Sequence, residues 1–546
     1  MMGNRLAMKR FVRQLLGLLS DLIRPNLSLF LGEGHVRTWL MALVVGLLAA
    51  CASVAFRLAI NAVQLLWLGT MSERVVSAAR AVPWPVILLA PAIGGVVVGG
   101  LLYFVPSRRA GGPADVIEAQ AFGPDRLQLR GGVLGALAAA LTLGSGGSAG
   151  REGPVIHFGA TLTAALAQWA KRPDRERRAL IGAGVAAAIA ASFNAPIAAA
   201  LFALEVVFRR ISAAALPPIV IASAVGAIIG RTVFGDFPAF AIPEHRIASS
   251  WEFPAFAALG VVAAAVSAFF QLTVMGFDWA VRTLTIPLWL KPALGGLCVG
   301  ALGVFFPEVL GVGYETVEAA LTQSLSLGLL VSLIVLKTAA TAITLGSRLA
   351  GGVFSPALYL GAMAGAAFGQ VATFLVPDLA SSGTVYTILG MGAVAGAVLG
   401  APISTTVMVF ELTGGYAMSI ALLLTVSIAS TLSRALLGRS YFFLQLAARG
   451  LYPDEGVHRR VGRRLTIKDL VRPTGPDDAA VASGECLLTT HDSVEAALRA
   501  FDACGLERLP VADARDRSRV VGVLEQTEAL KAFNAALIDA VAEEQR

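Results

Sequence analysis

Long runs of apolar residues, separated by short polar breaks, extend along most of the chain. Seven of these runs reach the roughly 20 residues that a helix needs to cross a bilayer. They cover residues 39–68, 85–104, 180–208, 256–276, 325–345, 384–410 and 420–437. Shorter segments broken by glycine or proline lie between them. The pattern predicts an all-α polytopic membrane protein that is embedded in a lipid bilayer.

Two sequence motifs occur twice, in the same order. TLGSGGSAGREGP at 142–154 returns as TLGSRLAGGVFSP at 344–356, and NAPIAAALFALE at 194–205 returns as GAPISTTVMVFE at 400–411. Repeated apolar segments that are interrupted by glycine and proline are typical of transport proteins whose site lies between two halves, near the bilayer midplane. We therefore expect two repeated halves of tilted, partly broken helices. The motifs alone leave open whether the second half is inverted.

Composition and charge add an orientation to this prediction. The chain has 546 residues, of which 56% are hydrophobic and 14% are charged. Basic residues cluster in 1–36 and in a linker at 451–464, so the positive-inside rule places both termini in the cytoplasm. A cell (inner) membrane protein without a cleaved signal peptide is expected. The net charge of +7 needs no nucleic-acid partner to explain it.

Cysteine and histidine offer no metal chemistry. The four cysteines show neither metal-ligand spacing nor a disulfide framework, and Cys51 and Cys298 are expected to be small buried hydrophobes within apolar helices. The five histidines form no metal-binding pair. The sequence therefore predicts no metal site and no enzyme.

Glycine-rich stretches inside the apolar runs carry the candidate chemistry. At 150–154, at 352–356 and at 111–113, glycines end one segment and a proline stands close to the start of the next helix. A helix start inside a membrane presents unpaired N–H groups and roughly half a positive charge, which together bind anions. Because glycine has no side chain, an ion can approach those amides closely. Glu152 would then be a carboxylate that competes with the anion for the same amides.

Other interpretations of these residues compete with an anion site. Glycines in membrane helices often serve close packing, but here two copies share the same spacing. A nucleotide-binding loop would need Gly-Lys-Ser/Thr, which is absent. A non-transporting scaffold gives no reason for Glu152 to lie among glycines. Glu205 and Glu411, both inside apolar runs, are either functional carboxylates or hydrogen-bond partners of helix ends.

Together these motifs resemble those of the CLC chloride channels and chloride/proton antiporters, across nearly all of residues 37–450. The matching segments are Gly150-Arg151-Glu152-Gly153-Pro154, Phe193-Asn194-Ala195-Pro196, Gly352-Val353-Phe354-Ser355-Pro356, and Ala401-Pro402 with Phe410-Glu411-Leu412-Thr413. The resemblance implies a homodimer in which each subunit has its own pathway for chloride or a similar small anion. It also implies two antiparallel-related halves, with Glu152 as the external gating glutamate and the amides of Val353 and Phe354 lining the anion site.

The full set of predicted anion-site positions lies at or beside the family's motifs. They are Gly111, Gly112, Pro113, Gly150, Arg151, Gly153, Gly352, Val353, Phe354, Ser355, Tyr441 and Phe442. Three departures from the family pattern affect the mechanism. Ala110 replaces a serine, Phe442 stands where a tyrosine is usual, and Val206 replaces the internal proton-accepting glutamate. We therefore expect a passive channel. The alternative is a chloride/proton antiporter with a non-standard proton route, for which Glu205 is the candidate.

The last segment, 465–546, has a different character because charged and apolar residues alternate. Thr490–Leu498, Leu509-Pro510-Val511 and Val520–Leu524 resemble a CBS motif, which implies a small α/β cytoplasmic domain. One clear copy is present, so pairing across the dimer would complete the usual pair. The family's adenosine-nucleotide pattern has a Thr/Ser and an Asp after the last strand, and this chain has Glu525 and Glu528 at those positions. We therefore expect no cofactor. Binding of adenine nucleotide at this domain is the alternative.

Overall fold

The computed structural model describes residues 35–209, 212, 214–235, 247, 249–377, 380–413, 418–453, 461–462, 465–473, 486–514, 516 and 519–545. The basic residues of the predicted 1–36 segment up to residue 34, and most of the predicted 451–464 linker, lie outside these ranges. The chain divides into two compact units, Met1–Gln445 and Leu446–Arg546.

Helices make up almost all of the described part of the first unit. In chain order the α-helices are α1 (His35–Leu68), α2 (Val75–Ala79), α3 (Trp84–Leu102), α4 (Pro113–Phe122), α5 (Leu129–Gly144), α6 (Glu152–Trp169), α7 (Asp174–Phe193), α8 (Pro196–Phe202), α9 (Leu216–Phe234), α10 (Phe253–Thr283), α11 (Leu290–Phe305), α12 (Tyr314–Leu321), α13 (Leu327–Gly346), α14 (Phe354–Leu375), α15 (Gly383–Leu399), α16 (Pro402–Thr413), α17 (Ser419–Leu437) and α18 (Tyr441–Ala447). Seven helices of the described residues are long and apolar enough to cross a membrane. Five of the seven predicted runs lie on such helices.

The other two predicted runs, 180–208 and 384–410, are each broken into two helices. The chain turns at Asn194 and at Gly400, where φ is +58° and +68°, and a new helix starts at the proline two residues later. Asparagine and glycine tolerate this left-handed conformation, and proline favours the first helical position. A hydropathy window takes no account of either property, which is why each run looked like one uninterrupted span.

The order of helices repeats between the two halves. When the five-residue α2 is left out, α1 to α9 form a series of eight helices, and α10 to α17 form a second series of eight. Each series begins with a long helix, continues with a glycine-containing helix and a short helix, and ends with five further helices. The repeated motifs fall at matching places, with one copy before α6 and α14 and the other at α8 and α16. The internal repeat predicted from sequence is therefore a structural repeat.

Two carboxylates show that the halves are inverted where they meet. Glu205, in the π-helical turn that continues α8, accepts hydrogen bonds from the amides of Ile403 (3.0 Å) and Ser404 (2.7 Å) at the start of α16. Glu411, near the end of α16, accepts from the amides of Ile197 (3.0 Å) and Ala198 (2.7 Å) at the start of α8. Because each helix end contacts the other helix start, α8 and α16 run antiparallel.

Small residues allow the helices to pack closely. A Cβ atom placed on Gly296 in α11 would lie 2.0 Å from the carbonyl oxygen of Pro91 in α3, and one on Gly361 in α14 would lie 2.3 Å from the carbonyl oxygen of Gly390 in α15. Backbones this close are characteristic of membrane interfaces built from glycine and alanine. The helix faces that pack inside the unit are accordingly rich in alanine.

Large apolar side chains lie on the outer surface of the first unit. Leu66, Trp279, Phe305 and Phe374 are at least 70% exposed, which suits contact with lipid rather than water. Cys51 and Cys298 are also exposed, contrary to the prediction that they are buried, because they lie on outward faces of α1 and α11.

The second unit contains a small α/β domain. Strand β1 (Leu488–Thr489) pairs in parallel with β2 (Arg508–Ala512), which pairs antiparallel with β3 (Val520–Glu525); α19 (Val494–Cys504) and α20 (Gln526–Gln545) complete it. Ser493 caps α19 by accepting a hydrogen bond from the amide of Ala496. A disulfide joins Cys486 to Cys504. The sequence did not predict it, because these two cysteines come together only through the turn of the chain between β1 and α19.

The cross-half carboxylate caps predict a stability effect. Replacing Glu411 by alanine would leave two amide groups at the start of α8 without their acceptor, so we expect Glu411→Ala to lower the free energy of unfolding by about 1–3 kcal/mol. Heating detergent-solubilised protein and measuring the fraction that stays soluble and monodisperse would test this. Glu528→Ala, which removes an exposed carboxylate in α20, is the control and should have no effect. Equal thermal stability of the two variants would contradict the proposed role of the caps.

Candidate anion pathway

The two glycine-rich motifs meet at the centre of the first unit. The amide of Gly150 donates to the carbonyl oxygen of Gly352, and the amide of Gly352 donates to that of Gly150, both at 2.7 Å. A Cβ atom on Gly153 would lie 2.9 Å from Gly352 Cα, so a side chain has no room there. Helices α6 and α14 consequently begin beside each other.

This bridge changes the role of two predicted anion ligands. The N–H groups of Gly150 and Gly352 are occupied by each other, so they are not free to bind an anion. Their contribution is to let the two loops approach closely. The N–H groups in the first turn of each helix have no acceptor within their own helix. Those of α14 belong to Phe354 and Ser355, directly after Val353 at the N-cap position.

The carboxylate of Glu152 extends from the start of α6 to the start of α14. Its Oε1 accepts hydrogen bonds from Ser355 Oγ at 2.5 Å and from the hydroxyl of Tyr314 at 3.1 Å. Its Oε2 is buried, with no hydrogen-bond partner in the described part of the chain. Glu152 is 1% exposed. The carboxyl group of Glu152 therefore occupies the place between the two helix starts where an anion would be stabilised.

Arg151 is committed to an ion pair. Its Nη1 donates to Glu73 Oε1 at 2.7 Å, and its guanidinium lies over the ring of Tyr314, 5.0 Å from the centroid. Arg57 makes a second 2.7 Å contact with Glu73. Burial opposes ionisation of Glu73, yet the two guanidiniums, Arg151 above all, hold the pKa of Glu73 below its usual value. Arg151 was predicted as an anion ligand; its charge instead pairs with Glu73, which the sequence analysis did not single out.

A buried lysine supports the segment that carries Tyr314. Lys337 in α13 is fully buried, and its Nζ donates to the carbonyl oxygens of Val309 and Gly311 at 2.9 Å each. Its ammonium also lies 5.1 Å from the ring centroid of Tyr359. These contacts fix the loop just before Gly313 and Tyr314. The hydroxyl that donates to Glu152 is thus positioned by an amino group that is held on backbone carbonyls.

The third predicted helix start, at α4, is capped by its own carboxylate. The amide of Gly112 donates to Asp115 Oδ2 at 2.8 Å, and Arg109 binds both oxygens of Asp115. Because Pro113 has no N–H and that of Gly112 is occupied, neither residue offers an amide to an anion. The sequence-based assignment of Gly112 as a ligand is corrected accordingly. Gly111 precedes this cap and packs against His157.

The remaining predicted positions have local partners. The hydroxyl of Tyr441 accepts a hydrogen bond from Gln445, and the rings of Tyr441 and Phe442 meet edge to face with centroids 6.0 Å apart. Glu205, the candidate for a proton route, caps α16, which is one of the two interpretations left open above. Val206 beside it is buried.

Within the described residues no group of three or more His, Cys, Asp or Glu side chains could hold a metal ion.

Comparison with known proteins identifies the family to which this repeated helical fold belongs. The family model described as voltage gated chloride channel matches residues 94–434. A putative chloride channel protein ClcB-like of Ralstonia nicotianae is 33% identical over 70% of this chain and 90% of its own length. The voltage-gated ClC-type chloride channel ClcB of Escherichia coli is 33% identical over 73% of this chain and 96% of its own length.

Solved structures share the fold. A slow cyanobacterial chloride/proton antiporter superposes with a TM-score of 0.68 at 25% identity, covering 76% of this chain and 98% of the antiporter. A eukaryotic CLC transporter superposes with a TM-score of 0.65 at 18% identity, covering 92% of this chain and 89% of that protein. The chain belongs to the voltage-gated chloride channel (CLC) family. It is therefore an integral membrane protein that transports anions.

The hydrogen bond from Tyr314 predicts a measurable effect of its hydroxyl on the Glu152 carboxylate. A hydrogen bond to a charged group is worth about 1.5–3 kcal/mol, so Tyr314→Phe should loosen the buried carboxylate and raise chloride efflux from liposomes at pH 7.5 by about tenfold. Tyr103→Phe, which changes an exposed tyrosine at the end of α3, is the matched control. Efflux from Tyr314→Phe equal to that from the control would contradict a role for this hydroxyl.

The glycine bridge predicts a steric effect. A Cβ atom on Gly352 would lie 2.8 Å from the amide nitrogen of Gly153, so Gly352→Val should separate the starts of α6 and α14 and reduce chloride efflux by more than about tenfold. Gly328→Ala is the control, because a Cβ atom there meets no heavy atom within 4 Å. Normal efflux from a correctly folded Gly352→Val variant would show that the close approach is unnecessary for transport.

Proposed function

We propose that this protein is a passive channel for chloride or a similar small anion, and that Glu152 is its gate. The observation that carries the proposal is the position of the Glu152 carboxylate, buried at the start of α14 against Ser355 and Tyr314. The relatives from Ralstonia nicotianae and Escherichia coli are both named as chloride channels.

Gating follows from competition between two anions for one place. When Glu152 is ionised, its carboxylate occupies the region where the first-turn N–H groups of α14 concentrate positive potential. Protonation of Glu152 removes the charge that holds it there, and a chloride ion then takes its place near Val353 and Phe354. Anion flux is expected to increase as the pH falls.

Three features support a channel over a proton-coupled exchanger. Val206 cannot bind a proton, and Glu205 is held by two amides of α16, at 2.7 and 3.0 Å. Ala110 and Phe442 carry no hydroxyl that could bind an anion at the centre of the pathway. Without these hydroxyls the barrier to anion movement on the inner side of the pathway is lower, which favours passive flow over exchange at a fixed ratio.

A chloride/proton antiporter is the second candidate, because of the structural relatives. The cyanobacterial protein that superposes at 25% identity is a chloride/proton antiporter, and another structural relative, 22% identical with a TM-score of 0.63, is a fluoride/proton antiporter. In such a mechanism Glu152 would carry protons as well as block the pathway.

The assembly and the orientation belong to the same proposal. We expect a homodimer in the cell membrane with both termini in the cytoplasm. The exposed apolar residues on α8 and α16, including Ile197 and Ile403, would suit either lipid or a second subunit. Light scattering of the purified protein would give the number of subunits, and reporter fusions at each terminus would give the orientation.

The second unit is proposed to be a CBS-like domain that acts in dimerisation. The three-stranded sheet and the capped helix α19 support this assignment. Because Glu525 and Glu528 occupy the positions of the nucleotide pattern, we expect no shift of the unfolding temperature when ATP is added to the full-length protein.

The gate is tested by chloride and proton fluxes recorded together in liposomes. Glu152→Gln should maintain or raise chloride flux, and its flux should depend on pH less steeply than that of the unmodified protein, because the carboxylate that competes with the anion is gone. Glu528→Gln in the second unit is the control and should retain the original pH profile. The unmodified protein should move no protons when a chloride gradient is imposed.

Two outcomes would contradict the proposal. Complete loss of chloride flux in a folded Glu152→Gln variant would remove Glu152 from the gate. Protons driven uphill at a fixed ratio to chloride, with coupling abolished by Glu152→Gln, would replace the channel by the antiporter.

A further inference from the structure

A buried histidine in α6 has no role in the gate as described. His157 is 8% exposed, and neither ring nitrogen has a hydrogen-bond partner within the described part of the chain. It lies five residues after Glu152, about 7.5 Å further along the helix axis. The other polar side chains in the interior of α6, Thr161 and Thr163, donate to backbone carbonyls of their own helix.

The ring of His157 lies directly behind the loop that precedes α4. A Cβ atom on Gly111 would lie 2.3 Å from both Cε1 and Nε2 of His157, so ring and backbone are in contact. The next residues, Gly112 and Pro113, begin α4, and Pro113 Cδ lies 3.5 Å from a Cβ atom placed on Gly153. His157 is therefore separated from the meeting point of the helix starts by one layer of backbone.

His157 and Gly111 both line a cavity of about 310 Å³. Pro106, Ser107, Arg126 and Gln128 in the cavity wall are exposed, so the cavity opens to the surface of the unit. An open polar cavity gives water, and with it protons, access to the imidazole.

The charged groups that face His157 across the cavity neutralise each other. Arg109 binds Asp115, and Arg126 binds Glu118. All four side chains line the same cavity. These two positive and two negative charges cancel, so the net charge of the cavity lining is zero when the imidazole is neutral and positive when the imidazole is protonated. Histidine ordinarily titrates close to neutral pH, and burial lowers the pKa of His157 from that value, so its proton uptake is expected on the acid side of the ordinary range.

We propose that His157 is a proton-binding site that controls anion occupancy from the cavity side. A proton taken up from the cavity gives the imidazolium a positive charge behind Gly111, and this charge strengthens chloride binding in front of the loop. Two unit charges about 7 Å apart at an effective dielectric constant of about 20 correspond to roughly a ten- to hundredfold change in affinity. The proposal rests on the proposed anion pathway and adds a second titrating group to it.

The effect is separated from the gate by removing the gate's own titration. Chloride binding to purified Glu152→Gln protein would be measured by titration calorimetry at pH 5.5 and pH 7.5. We expect binding at least about tenfold tighter at pH 5.5, with proton uptake that appears as a dependence of the binding heat on the ionisation enthalpy of the buffer. In Glu152→Gln/His157→Gln both the pH dependence and the proton uptake should disappear.

A matched variant and distinct outcomes make the test decisive. Glu152→Gln/His491→Gln changes an exposed histidine in the second unit and should keep the pH dependence. Equal chloride affinity of Glu152→Gln at both pH values would overturn the proposal without any change at His157, so misfolding of a His157 variant cannot hide the result. Absence of chloride binding at either pH, in the unmodified protein as well, would refute both this proposal and the anion pathway on which it rests.

Discussion

The pair of hydrogen bonds between Gly150 and Gly352 is the constraint on which the centre of the membrane unit depends. It fixes the starts of α6 and α14 side by side, and only residues without side chains allow that distance. Glu152 in one half reaches Ser355 in the other because the bridge places them there. The two halves therefore share one site, and neither half could form it alone.

Several buried ionisable side chains in the described part of this unit have a partner of a specific kind. Arg151 pairs with Glu73, Lys337 is held by carbonyl oxygens, and Glu205 and Glu411 accept from backbone amides. Burying an unpaired charge in low dielectric is costly, so such pairing is required of any charge that remains in the bilayer. At Glu152 one carboxylate oxygen is buried without a hydrogen bond among the described residues, as is the Nε of Arg151.

The sequence predicted the elements that rest on local chemistry and missed those that depend on distant contacts. Glycine and proline at 150–154 and 352–356 marked two helix starts, which the structure places at Glu152 and Phe354. The breaks at Asn194 and Gly400 could have been predicted, because each precedes an Ala-Pro pair that disfavours continued helix. By contrast, Tyr314 lies 162 residues from Glu152, and no pattern in its own short helix indicates a contact with that carboxylate. Which amides are already occupied, as at Gly112, also depends on the folded arrangement around them.

The reciprocal caps of α8 and α16 have a consequence for how the protein is made. The start of α8 lies in the first half, but the carboxylate that satisfies it, Glu411, is more than two hundred residues further along the chain. During synthesis the first half is made before this acceptor exists, so the two amides lack Glu411 until the second half has been made. The start of α8 is therefore expected to reach its capped state only after the second half has been inserted. Biogenesis of the two halves is coupled, even though each carries its own complete set of helices.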